Sequence, residues 1–143
     1  MTALVPHLYF DGDCEAAFNF YRDVFGAEMQ GPMRWADNPM CEQFSDEDKN
    51  KVMHVSLDLG GRGGGLMGND FVAAMAGQTY VAGNNFAVTI VPDTREEADQ
   101  LFARLSEGGK AVMPMQDMFW GGYFGALADK FGISWMLNVD TRS

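Results

Sequence analysis

His7 and His54 are the residues of this chain best suited to acid–base or metal chemistry. Each sits in a stretch of period-two alternation, Leu4–Phe10 and Val52–Leu59, and alternation puts both on the polar face of a strand. Val5 and Tyr9 share the first face; Val52, Ser56 and Asp58 share the second. Two readings fit. In one, both imidazoles face a cavity and, with Asp58 or Tyr9, bind a metal or move protons. In the other they are pocket-wall histidines making hydrogen bonds. Ser56 neighbours His54 on the same face, but there is no GxSxG elbow, so a hydrolase triad is not expected. Cys14 opens a helix, where a thiol pKa can fall, whereas Glu42 beside Cys41 disfavours a thiolate. The two cysteines, without a CxxC or an adjacent His, read as reduced thiols rather than a disulfide.

The elements that must position these residues begin with a strand over Leu4–Phe10, apolar at Leu4, Pro6, Leu8 and Phe10. A helix over Cys14–Phe25 follows, with Asp13 as its cap, Glu15 in its first turn and Gly26 at its end. Its expected buried stripe is Ala17, Phe20, Tyr21 and Val24. Glu28–Trp35 forms a second strand, and Ala36–Lys51, with Pro39 and SDEDKNK, reads as an exposed loop. In Val52–Leu59 the apolar face is Met53, Val55, Leu57 and Leu59. Gly60–Gly65 (GGRGGG) joins two strands, so it reads as a hairpin turn and not a phosphate loop. Leu66–Asn69 returns, and Asp70–Asn84 is a loose connection with room for a short helix.

The pattern then recurs. Asn85–Val91 is a strand with Phe86, Val88 and Ile90 on one face. Thr94-Arg95-Glu96-Glu97 is a capping box opening a helix that runs to about Glu107 and closes at Gly108-Gly109. Its stripe superposes on the first: Ala17 on Ala98, Phe20 on Leu101, Tyr21 on Phe102, Val24 on Leu105, with Glu15 on Glu96. Lys110–Asp117, Trp120–Ala128 and Ser134–Val139 supply three strands, the last two joined at Asp129-Lys130-Phe131-Gly132. The order strand–helix–strands thus occurs twice, as a duplicated βαβββ unit. Trp120 and Tyr123, near a glycine pair, are candidates to line an aromatic pocket, while the phase of Trp135 puts it with Leu137 and Val139.

Composition narrows the partners. The 143 residues suffice for one proper core, and 47% hydrophobic content with 13% aromatics excludes a disordered chain. Eleven Met and eleven Phe serve cores and adaptable pockets alike. Ten Lys+Arg against twenty Asp+Glu leave a net charge of −10, which repels phosphate backbones, so nucleic acid is not an expected partner. The opening MTALVPHLYF lacks a basic region and a long apolar run, and no window approaches the ~18 apolar residues of a membrane span. A cytoplasmic protein is expected, with no membrane partner.

The chain resembles the vicinal-oxygen-chelate superfamily of glyoxalase I, extradiol dioxygenases and bleomycin-resistance proteins, and within it the PhnB-like (demethylubiquinone methyltransferase-like) branch. The resemblance is carried by PHLYFDGDCEAAFNFYRDVFGAE (Pro6–Glu28), VMHVSLDLGG (Val52–Gly61), LMGND (Leu66–Asp70) and Leu105–Asn138, which ends in FWGGYFGALADKFGISWMLN. It implies an α+β glyoxalase-like fold: two βαβββ modules whose curved mixed sheets form a ligand cavity, with the helices outside. It also implies one domain over 1–143, with module one about 1–70, a connection about 71–84 and module two about 85–143. A homodimer is implied as well; whether the loops 36–51 and 70–84 close over the cavity or pack between subunits is left open by the sequence.

Metal-using relatives place His, Gln or Glu on the first and last strands of each module, where a divalent cation chelates two neighbouring substrate oxygens. Carried onto this sequence, the first position falls near Val5, with His7 one rung deeper. The others fall at Gly68-Asn69, near Asn85, and at Met136, which replaces the last-strand Glu, with Asn138 two residues on. None holds His or Glu, so no metal or other cofactor is expected. Methyl transfer is not expected either, because the chain lacks the Gly-rich first turn of a nucleotide pocket. The resulting expectation is a small-organic-molecule-binding protein whose pocket draws on His7, Tyr9, His54, Ser56, Asn85, Trp120, Met136 and Asn138. The alternatives are a divalent-metal lyase or isomerase of glyoxalase type using His7, His54 and Asp58, and sequestration of an antibiotic, for which acidic charge would suit a cationic drug.

Overall fold

The computed structural model describes residues 2–60, 64–73 and 79–140. The chain divides into two compact units, Met1–Val81 and Ala82–Ser143. In the first, β1 (His7–Phe10), α1 (Cys14–Phe25), β2 (Glu28–Arg34), β3 (Val52–Asp58) and β4 (Gly65–Asp70) form a four-stranded sheet in the order β1-β4-β3-β2 under one long helix. In the second, β5 (Val88–Ile90), β6 (Lys110–Asp117), β7 (Gly122–Ala128) and β8 (Ser134–Asp140) form a sheet in the order β5-β8-β7-β6. Its helix spans Arg95–Leu105; a short helix, α2, lies at Asp46–Lys49 of the first unit, so the longer one is α3. In each unit the first strand pairs parallel with the last and the remaining pairings are antiparallel. These are open, mixed sheets of an α+β fold, each unit a βαβββ.

Helix α1 has the expected bounds and ends on Gly26 in the left-handed region (φ +61°). Its buried stripe is different: Cys14, Ala17, Phe18, Tyr21 and Val24 are buried, while Phe20 lies only partly so. The shift follows from Gly68 on β4. A Cβ there would come within 2.5 Å of the Phe18 ring, so the bare backbone is the seat into which that ring drops. Asp13 makes no side-chain cap. The orphan amides are met from the far end of the unit, where the Asp70 carboxylate accepts from Gly12 N and Cys14 N, both at 3.0 Å, and from Val52 N at 2.9 Å. Asp70 is therefore the buried last residue of β4, not the start of a loose connection.

Three further expectations are revised. The segment after β2 folds into two short 3₁₀ turns, Trp35–Asp37 and Pro39–Gln43, followed by α2, because Trp35 stacks edge-on against the buried Phe44 and Ser45 caps Asp48 N. In β3, Val52 is buried along with Val55 and Leu57, while Leu59 is exposed; the β2–β3 pairing is irregular around Met33, which breaks simple alternation. Strand β5 is only Val88–Ile90, and both Asn85 and Phe86 lie exposed before it. The Gly60–Gly65 turn and the short helix foreseen in 70–84 fall largely on 61–63 and 74–78, outside the described residues.

In the second unit Thr94 Oγ accepts from Glu97 N at 3.1 Å, the expected start of α3. Ala98 and Leu105 are fully buried against Leu127, Trp135, Leu137 and Val139 of the sheet. The β7–β8 turn closes on Asp129, 4% exposed, which accepts from Phe131 N, Ile133 N and the Trp135 indole N–H. Among the described residues no helix is long and apolar enough to cross a membrane.

Candidate functional site

One face of each sheet lies under its helix, and the opposite face carries the chemistry. In the first unit Leu8, Phe10, Val55 and Leu66 turn toward α1. Alternation then leaves His7 and Tyr9 of β1, Met67 and Asn69 of β4, His54 and Ser56 of β3, and Met33 of β2 on the other side. The register knits them together: His7 is opposite Met67, Met67 opposite Ser56, Tyr9 opposite Asn69, and Met33 opposite His54. Tyr9 and Met33 are about half exposed at 56% and 46%.

Four of the residues expected from sequence therefore gather here. The His7 ring lies 5.1 Å from that of Tyr9 on the same strand and 6.3 Å from that of His54, which reaches it across β4, centre to centre. His7 Nε2 stands 2.5 Å from Asn69 Oδ1, and Asn69 Nδ2 donates to the backbone carbonyl of Asp70 at 2.9 Å. That second bond orients the amide with its oxygen toward His7, so Nε2 donates in this contact and Nδ1 is not engaged by it. Asn69 and Asp70 are the supporting residues that alternation did not single out: one holds the imidazole, and the other, through its side chain, holds the strand end. LMGND already placed both beside each other.

Do these residues fit the divalent metal of metal-using relatives? Among the described residues no three His, Cys, Asp or Glu side chains gather as a metal-holding group. Asp58 accepts from Gly60 N at 2.7 Å and is occupied in the strand-end turn. An imidazole bound to zinc at about 2.1 Å has its ring centre roughly 3.2 Å from the ion. Ring centres 6.3 Å apart would thus sit almost on opposite sides of it, far from a tetrahedral angle. The donors do not fit such a centre.

The second unit's open face is more apolar. Met136 (38% exposed) is opposite Thr89 and Ala126, and Asn138 is opposite Phe124. Trp120 lies across Gly122, where any Cβ would collide with the indole, and meets Phe124 edge-on at 6.2 Å. Asn138 Oδ1 is buried there without a hydrogen-bond partner among the described residues. Tyr123 belongs to the other face: its hydroxyl donates to Asp99 on α3 at 2.6 Å and its ring lies under Arg95, itself paired with Asp117. The Asp99 bond, then desolvation, hold its phenol above the ordinary range. Asn85 lies apart, before β5, and Val5 precedes β1. Trp135 is 1% exposed and wholly in the core. Cys14 and Cys41 are both free thiols. Burial, then the charges of Asp70 and Glu15, push the Cys14 thiol well above its usual pKa, which leaves it unreactive.

Residues 4–137 match the family model of the Glyoxalase/Bleomycin resistance protein/Dioxygenase superfamily, and the chain belongs to that superfamily. It is 30% identical to Protein YjdN of Escherichia coli, over 95% of this chain and 94% of that one. Among solved structures it is similar to protein PA1353 from Pseudomonas aeruginosa, with 32% identity, 98% of each chain covered and a TM-score of 0.86. A PhnB protein from Bacillus cereus follows at 27% identity and a TM-score of 0.70, over 96% of this chain and 99% of that one.

Proposed function

We propose that this chain binds a small organic molecule on the open face of the first unit's sheet, without the divalent metal centre of metal-using relatives. The observation that supports the reading is the row of His7, Tyr9 and His54, with His7 pre-oriented by Asn69 and, among the described residues, no carboxylate bonded to either imidazole. Such a face offers an acceptor at His7 Nδ1, a phenol at Tyr9, a hydroxyl at Ser56 and soft apolar contact at Met33 and Met67. A flat molecule carrying hydroxyl or N–H groups matches that set. Family membership supports small-molecule chemistry, and the homodimer belongs to the same proposal.

The test is thermal stabilisation by a panel of phenolic and heteroaromatic compounds. A ligand held at one hundred times its Kd stabilises by about 2.7 kcal/mol. That gain is expected to disappear in His54→Gln and Tyr9→Leu and to survive in Trp120→Leu. A shift that ignores both first-unit substitutions would overturn the assignment. Sequestration of a cationic antibiotic is a second reading, favoured by the net charge of −10. It is tested by adding such compounds to the panel and checking that they are recovered unchanged. Sedimentation equilibrium at the mass of a single chain would remove the homodimer.

A further inference from the structure

The spacing that disqualifies His7 and His54 for a tetrahedral divalent ion suits a different one. We infer that the open face of the first sheet is a site for a soft monovalent cation, Cu(I), held by the imidazoles of His7 and His54 with the thioether of Met67. Three observations converge. The ring centres lie 6.3 Å apart with planes tilted by 34°, a separation that one ion bonded to a nitrogen of each ring would span at roughly 6.4 Å. Two- and three-coordinate geometry of that kind is open to a d¹⁰ monovalent ion, and imidazole with thioether is a donor set that selects copper in that state.

Next, His7 already has the support a ligating histidine needs. Its Nε2–H is held by Asn69 Oδ1, whose own amide nitrogen is held by the Asp70 carbonyl, so Nδ1 is presented as donor without further ordering. Finally, the register brings sulfur to both rings: Met67 is the direct partner of His7, and Met33 of His54. Both methionines are well exposed, at 37% and 46%, and so are not spent on the core. Asp58, the acid on the same strand as His54, is bonded to Gly60 N, leaving the donor set neutral and soft.

The site does not depend on the organic-ligand reading, because the test uses the metal alone. Anaerobic titration of the chain with Cu(I), against a chromophoric Cu(I) chelator, should give one ion per chain. Cys41→Ser must bind equally, since that thiol is not a ligand. His7→Gln and His54→Gln should each weaken binding by at least about 100-fold, and Asn69→Ala by about tenfold, in line with losses at ligands and their supports. X-ray absorption of the Cu(I) complex should show one sulfur neighbour that vanishes in Met67→Leu. Circular dichroism and thermal midpoints of the histidine variants check that they are folded. The inference is overturned if the chelator retains all the copper, if the double histidine variant still binds, or if zinc binds stoichiometrically through the same two histidines. A wild-type chain that binds no copper can still be stabilised by the compounds, and one that ignores the compounds can still bind copper, so the two readings fail separately.

Discussion

Asp70 and Asp129 are both nearly buried acids at the end of a strand, and each accepts three hydrogen bonds, yet they tie together very different lengths of chain. Asp129 serves its own neighbourhood: the amides of Phe131 and Ile133 and the indole of Trp135. Asp70 serves three separate parts of its unit, the β1–α1 turn at Gly12, the helix start at Cys14 and the β3 start at Val52. The helix packing is inverted in the same way. Opposite Leu8 on β1 stands Gly68, and α1 supplies the bulk with Phe18; opposite Val88 on β5 stands Trp135, and α3 supplies Ala98. One topology is thus closed by a long-range polar lock with a bulky helix, and again by a local lock with a bulky strand.

The comparison breaks most visibly at Asp70. Asp70→Ala leaves three amides without acceptors at about 1–3 kcal/mol each, so a loss of about 4 kcal/mol is expected in denaturant unfolding. A loss below about 1 kcal/mol would mean that water replaces the carboxylate. Asp129→Ala should cost about 3 kcal/mol, because the Phe131 and Ile133 amides are only part-buried and reach water more easily. The kinetics sharpen the contrast: a local turn forms early, so Asp129→Ala should slow refolding, whereas Asp70→Ala should mainly speed unfolding. Equal effects on both limbs for both variants would dissolve the distinction.

Gly68→Ala places a methyl on the Phe18 ring and should cost about 1–3 kcal/mol, with a part recovered in combination with Phe18→Leu. Additive losses in that cycle would show that the glycine serves the backbone instead. The smallest effect is on pH. Burial raises the Cys14 pKa above its ordinary 9.0, so the folded chain keeps the proton that the unfolded chain releases. Stability is unaffected below pH 9 and falls above it, by at most about 1.4 kcal/mol per pH unit. Denaturation midpoints from pH 8 to 10 in the wild type and Cys14→Ala check this; identical slopes would refute it.

The fold was largely legible in the sequence because its signals are local. The β-rich run of Val52–Asp58, the Thr94 cap, the glycine closing α1 and the Asp129-Lys130-Phe131-Gly132 turn each act within a few residues. Alternation also put His7 with Tyr9 and His54 with Ser56 on the polar faces of their strands, and the register joins the two pairs. What it missed depends on partners distant in the chain. Asp70 reads as a loop residue until Gly12 and Val52 are beside it. Phe18 falls outside the expected stripe until a glycine from another strand leaves it room. Asn69 reads as a register position until its amide is seen to hold His7. Tyr123 was placed by its neighbours in sequence, although strand parity turns it toward Asp99.

The parallel pairing of first strand with last has a consequence for synthesis on the ribosome. β1 leaves the exit tunnel long before β4, and β5 long before β8, so each opening strand must wait with its ladder groups unpaired while the hairpins behind it form. Both waiting strands are short, four and three residues, which limits what another nascent chain could zip onto. The brevity of these two strands protects the chain during the interval when each unit is still incomplete.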